Sequence, residues 1–398
     1  MPKTVFAFWH PDVESLPSRG VWAALAGKTT NMQRRPCAGA AGTYVLKVFT
    51  LTIPTLVAAS RFFPACAYGG NFATLNAMEN ERMRTTRRDF LLGGAAVVAA
   101  SATFQSCSDA PAASVPVRRS DEQQSALITK WDEETEAVSP KVYSEYMRDG
   151  DTRGYKALNA NAYAFEKVMR EMMATSVTGD VPAIWSVYNM GYIVKTRKSL
   201  FSIDLNHRRG TEFAPLLDFA LVTHNHGDHW RKDFYNAMTE RGKVVMSNFL
   251  DNPRFNEMKG NSAKGVGTYR IKDVEVRTSL IDHNDLAWGI NFTMAFEIRI
   301  GNWLLYHTGD SGRGTEPKLV TPWGRPDLWL FFPGCGINTA RAVEKVNPKR
   351  IVFGHLWELG HKQRHHGRLD EPLIRRALAA ARPIVHDTSL AFWGDRIV

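Results

Sequence analysis

From residue 182 to the C-terminus the chain is cut into short apolar runs rich in Val, Ile, Leu, Phe, Tyr and Trp, separated by Gly, Asn, Asp and Pro. This texture predicts β-strands over 183–188, 191–196, 200–205, 219–223, 244–247, 274–281, 292–300, 303–307, 328–332 and 350–353. Helices are expected near 232–241, 338–346 and 371–381. Strand runs with helices between them predict a layered α/β domain over 182–398, sheets inside and helices outside. Ahead of it lie two amphipathic stretches, 121–138 and 155–174. In the second, Leu158, Ala162, Phe165, Val168, Met169 and Met172 recur near helical spacing. They predict an N-terminal helical arm over 121–181 that caps the domain.

Further upstream the pattern changes again. Residues 108–120 read as a Pro/Ala/Ser linker. Before it, Thr86-Arg87-Arg88-Asp89-Phe90-Leu91 opens an uncharged apolar run over 91–104. That run is shorter than the roughly 20 residues a membrane-spanning helix needs. A double arginine, an uncharged run and a Pro/Ala/Ser-rich tail in that order resemble a twin-arginine export signal over 83–107. Phe104-Gln105-Ser106-Cys107 resembles a lipoprotein processing site, with Phe104 where such sites usually carry Leu and Cys107 as the residue to be acylated. Met83 stands where such a signal would start, so residues 1–82 are expected to be a non-native upstream extension. The expected location is the bacterial cell envelope, periplasmic, with membrane attachment through a lipidated Cys107. A buried hydrophobic helix is the competing reading of 91–104.

The formal charge is +10, from 50 Lys+Arg against 40 Asp+Glu, which at first suggests a nucleic-acid binder. But 11 of the basic and 5 of the acidic residues lie in 1–106, which leaves 39 against 35 in the body. No nucleic-acid partner is therefore expected. Four cysteines, Cys37, Cys66, Cys107 and Cys335, are too few and too scattered for a disulfide framework or a cysteine zinc site. Histidine is the unusual residue: eleven of twelve lie between His207 and His386.

The chemistry concentrates in Leu221-Val222-Thr223-His224-Asn225-His226-Gly227-Asp228-His229-Trp230. An apolar strand ends, and the following loop presents three imidazoles and a carboxylate, the ligand types that zinc prefers. Alternation puts His224 and His226 on one side of an extended backbone, where both can bind one metal, and turns Asp228 and His229 toward a second. A chance cluster of solvated histidines would not combine this order, spacing and position after a strand.

His224-x-His226-x-Asp228-His229 resembles the signature of the metallo-β-lactamase superfamily. The resemblance covers about 182–386. It implies a four-layer αββα fold and three further ligands beyond later strands, matched here by His283, Asp310 and His355. It also implies a supporting aspartate, matched by Asp204. By the same resemblance His224, His226 and His283 hold one divalent cation, Asp228, His229 and His355 hold another, and Asp310 bridges them. The implied cofactors are two metal ions, zinc first, with iron or manganese as alternatives. The implied chemistry is hydrolysis by a metal-activated hydroxide, with Asp228 and Asp310 as the catalytic carboxylates. The closest branch is expected to be that of ascorbate-6-phosphate lactonase and N-acylphosphatidylethanolamine phospholipase D.

The expected substrate is a small-molecule or lipid-like ester, a lactone or a phosphodiester. His361 and Arg364, in the basic loop after His355, are candidates for an anionic substrate group, against a solvated charged loop. Trp230 and Trp288 are candidate pocket walls, with core packing as the stronger reading. His307 is expected in the core, His207 at the site rim or in a solvated loop, and Cys335 in a structural turn. The rivals to an ester hydrolase are a β-lactam hydrolase and a non-catalytic envelope binding protein of the same fold.

Overall fold

The computed structural model describes residues 115–398. The expected upstream extension, export signal and Cys107 lie outside the described residues. Among the described residues no helix is long and apolar enough to cross a membrane.

The helical arm is three helices: α1 (Asp121–Glu136), α2 (Pro140–Asp149) and α3 (Lys156–Ala174). Ser120 starts α1 with a capping box, its hydroxyl accepting from Gln123 N while the Gln123 side chain accepts from Ser120 N. Ser139 and Pro140 start α2, and Gly150, at φ 82°, ends it. The expected linker is pinned at its end. Val117 N donates to Arg396 O, and Arg119 pairs with Asp395 while lying over the Phe392 ring.

The first sheet has five strands in order β1 (Ala183–Tyr188), β2 (Gly191–Lys195), β3 (Leu200–Ile203), β4 (Phe219–Leu221) and β5 (Val244–Met246). β1 to β3 run antiparallel, and β3, β4 and β5 run parallel. The second sheet holds β6 (Gly267–Ile271), β7 (Val274–Ile281), β8 (Thr293–Ile300), β9 (Trp303–His307), β10 (Leu328–Phe331), β11 (Ile351–Phe353) and β12 (Thr388–Leu390), neighbours in that order. It is antiparallel from β6 to β9 and parallel from β9 to β12. The remaining helices are α4 (Lys232–Glu240), α5 (Pro253–Lys259), α6 (Thr339–Val346) and α7 (Glu371–Ala381).

Side-chain alternation stacks these elements into layers. In β4, Phe219 and Leu221 join a core shared with Val276, Ile298 and Leu330 of the second sheet. Ala220 and Val222 instead join a second core with Tyr143 of α2, Leu158, Phe165 and Val168 of α3, and Phe234 of α4. The arm thus contributes the outer helical layer over the first sheet. On the far side, Ala342 and Val343 of α6 and Ile374 and Ala377 of α7 pack onto the second sheet. The result is the αββα sandwich that the signature implied. α2, α5, β6 and β12 lie outside the elements expected from the pattern.

Candidate metal centre

β3 and β4 are parallel, and so are β9 and β11, with β7 in the same direction as β9. Their carboxyl ends carry Asp204, the 223–229 loop, His283, Asp310 and His355. Asp204 is fully buried, with a left-handed φ of 44°, uncommon for a residue with a side chain. Its Oδ1 accepts from Thr223 N at 2.7 Å and its Oδ2 from the Thr223 hydroxyl at 2.7 Å. Oδ2 also lies 2.8 Å from His229 Nδ1. This carboxylate fixes the start of the loop, accepts a hydrogen bond from His229 Nδ1–H and turns Nε2 toward the centre. Because the Thr223 hydroxyl gives its proton to Asp204, it accepts from His224 Nδ1 at 3.0 Å and leaves His224 Nε2 free.

The β9 turn must approach this loop closely. Gly309 sits at φ 49°, and a Cβ there would be 2.7 Å from Thr223 Oγ1. At Gly312 a Cβ would fall 1.6 Å from the His283 carbonyl oxygen. Two glycines therefore let Asp310 and His283 meet the histidine loop.

The side chains gather into two groups. The ligand atoms of His224, His226 and His283 lie within 4.8 Å of one another, as do those of Asp228, His229, Asp310 and His355. Asp310 joins the two: its Oδ1 is 3.1 Å from His229 Nε2 and 3.4 Å from His355 Nε2, while Oδ2 is 3.8 Å from His283 Nε2. In each group two imidazole nitrogens face one another, His224 Nε2 and His226 Nδ1 at 3.1 Å, and His229 Nε2 and His355 Nε2 at 3.3 Å. His283 Nε2 and Asp310 Oδ1 are buried without a hydrogen-bond partner. Converging imidazole nitrogens and buried polar atoms without a hydrogen bond fit a bound cation far better than a closed hydrogen-bond network.

The electrostatics divide in the same way. Burial holds His224 and His226 below the ordinary imidazole range and takes His283 down to about 4, so this group is neutral. Burial also opposes charge on His229 and His355, but the surrounding carboxylates, Asp310 first, outweigh it and lift both, His355 to about 9. Asp228 and Asp310 resist burial through these imidazoles and stay well below the carboxylate range.

Two asparagines that the sequence did not single out support the loop. Asn189, at φ 55°, donates to Asp228 O at 3.0 Å and Oδ2 at 3.3 Å, and Asn206 donates to Gly227 O. His361 is placed by Glu358, whose Oε2 is 2.7 Å from His361 Nδ1, and its ligand atom lies within 4.8 Å of Asp228. Arg364 lines a cavity of about 950 Å³ with His365, Arg376, Leu373 and Ala377. Trp230 is half-buried and packs against Phe249. His307 is a core residue in edge contact with Tyr192.

Two expectations are corrected. His207 is neither at the rim nor solvated. It is 1% exposed and stacked on Phe165, because Phe165 of α3 folds over the loop after β3. Trp288 is 49% exposed and 5.7 Å from the His283 ring, so it stands beside the centre rather than in the core. Cys335 lies in a turn, as expected, and its Sγ donates to Asp310 Oδ2 at 4.0 Å.

No family model matches the chain. Over 152 residues, 35% of this chain, it is 30% identical to a UPF0173 metal-dependent hydrolase of Thermus thermophilus and 27% identical to one of Methanosarcina barkeri. Each alignment covers 65% of the relative, so the chain spans less than two thirds of the length of these curated proteins. Among solved structures, a possible metal-dependent hydrolase from Veillonella parvula superposes with a TM-score of 0.40 at 12% identity, covering 55% of this chain and 98% of that one.

Proposed function

We propose that this chain, a member of the metallo-β-lactamase superfamily, is a metal-dependent hydrolase that cleaves an ester bond, a lactone or a phosphodiester. The observation that carries the reading is Asp310, which turns one carboxylate oxygen toward each of two histidine groups. Imidazole-rich sets with one or two carboxylates are those zinc favours. Divalent cations bound there would supply an activated water nucleophile and positive charge for the developing oxyanion.

The protein's own residues do the rest. His224, His226 and His283 are kept neutral by burial and so have lone pairs to donate. Asp204 holds His229 in the tautomer that points Nε2 at the centre. Asn189 fixes the Asp228 carboxylate, which is placed to take a proton from the attacking water. His361, lifted above the ordinary imidazole range by Glu358 despite its burial, offers a positive charge at the edge of the centre. Arg364 and Arg376, on the cavity that Cys335 and His366 also line, suit a substrate bearing phosphate or carboxylate. In this reading the Arg87-Arg88 signal delivers the folded, metal-loaded chain to the envelope, where Cys107 anchors it.

The test is to load the full chain with zinc, measure metal content, and assay a lactone panel beside an activated phosphodiester. About two zinc ions per chain with turnover of either class supports the proposal. Absence of bound metal after loading would refute it, and silence on both substrates with metal bound would return β-lactams and a binding role to consideration.

A further inference from the structure

We propose that Cys335 is a thiolate donor to a cation held together with His283 and Asp310. The inference rests on the metal-centre reading above and adds a donor from the end of β10, a strand that supplies none of the signature ligands.

The segment after β10 is built around this cysteine. Phe332 stacks on the His355 ring at 4.1 Å, and at Gly334 a Cβ would come within 2.0 Å of Phe332. Cys335 itself sits at φ 50°, between Gly334 and Gly336, in a backbone region that disfavours any residue with a side chain. Its two backbone groups are held in that conformation, N donating to His366 O at 3.2 Å and O accepting from Arg313 N at 3.1 Å. A glycine would adopt this turn without strain, so the side chain is the feature that the local backbone cost accompanies.

That side chain meets the centre. Sγ lies 4.0 Å from Asp310 Oδ2, the oxygen that is 3.8 Å from His283 Nε2, and the three ligand atoms are mutually within 4.8 Å. His283 is 4% exposed and Asp310 3% exposed, and His283 Nε2 and Asp310 Oδ1 lack hydrogen-bond partners. The thiol donates to Asp310 Oδ2, so this cysteine is turned toward the centre and is not only a small apolar filler. On coordination the S–H bond breaks, its proton leaves to solvent, and the sulfur lone pair passes to the cation, with no change of oxidation state. A thiolate beside an imidazole and a carboxylate biases the site toward zinc, cobalt or ferrous iron and away from magnesium.

The experiment uses the full chain loaded with cobalt(II). The expected result is a near-ultraviolet thiolate-to-cobalt charge-transfer band in the native protein, lost in Cys335→Ser while the cobalt content of the two is equal. Native protein that binds cobalt without the band, or a band of equal intensity in the variant, overturns the assignment of Cys335 alone. A native chain that binds no cobalt overturns both this inference and the hydrolase reading beneath it. Should Cys335→Ser fail to fold, zinc-edge X-ray absorption on the native chain decides. A sulfur shell at about 2.3 Å supports the inference, and a shell of nitrogen and oxygen only overturns it.

Discussion

At the scale of single residues, the signature singled out the seven candidate ligands and Asp204, which the fold brings together, because a metal would constrain residue type, order and position after a strand all at once. The groups that escaped are those whose roles arise only when distant loops meet. Asn189 reaches Asp228 from the turn after β1, and Cys335 reaches Asp310 from the turn after β10, both through left-handed backbone that no local pattern announces. Asp310→Asn removes the charge shared by both groups and should abolish turnover while circular dichroism stays native; retained activity would sink the shared-carboxylate arrangement. Asp204→Asn should be milder. It keeps the volume but disturbs the His229 tautomer, so affinity for metal should fall about 10- to 100-fold in a chelator competition. His207 gives a prediction of a different kind. Burial takes it from 6.5 down to about 3, so the unfolded chain binds its proton first and stability is lost as pH falls from about 6.5 toward about 3. Two pH units below the unfolded value this costs about 3 kcal/mol. His207→Gln should flatten that part of the stability curve measured by urea unfolding at stepped pH, and an unchanged slope would assign the acid limb to other groups.

At the scale of elements, period-two burial and apolar runs located ten of the strands, while their ends were set too long in several cases. The reason lies in the site: Leu205, Val222, Ser247 and Phe332 follow their strands and are buried, yet belong to the loops that carry or support the ligands. β6 was missed because only Tyr269 of its five residues is buried, and α5 because seven residues are too few for periodicity to show. The close approach of the β9 turn to the β4 loop is the element-level feature most sensitive to change. Gly309→Ala meets both an unfavourable positive φ and the Thr223 side chain. It should cost about 1 to 3 kcal/mol, lower the melting temperature and weaken metal binding with it. A variant that melts like the native protein and holds metal normally would show that the turn can yield.

At the scale of the whole molecule, a layered α/β body was readable from the alternation of strand and helix patterns, whereas strand order and the burial of the helical arm depend on long-range packing. The two sheets meet through a continuous apolar core, and the candidate ligands are divided between them. His224, His226, Asp228 and His229 follow β4 of the first sheet, and His283, Asp310 and His355 follow β7, β9 and β11 of the second. A cation that draws on both sets ties one sheet to the other at the end of that core. Metal bound to the folded chain and not to the unfolded one stabilises the whole body by mass action, about 2.7 kcal/mol at a free concentration 100 times the dissociation constant. Chelation should therefore lower the melting temperature of the entire domain in a single calorimetric transition. If it instead loosened only the ligand loops, proteolysis near 224–230 would rise while the main transition stayed in place. That outcome would mean the apolar core, not the metal, sets the association of the two sheets.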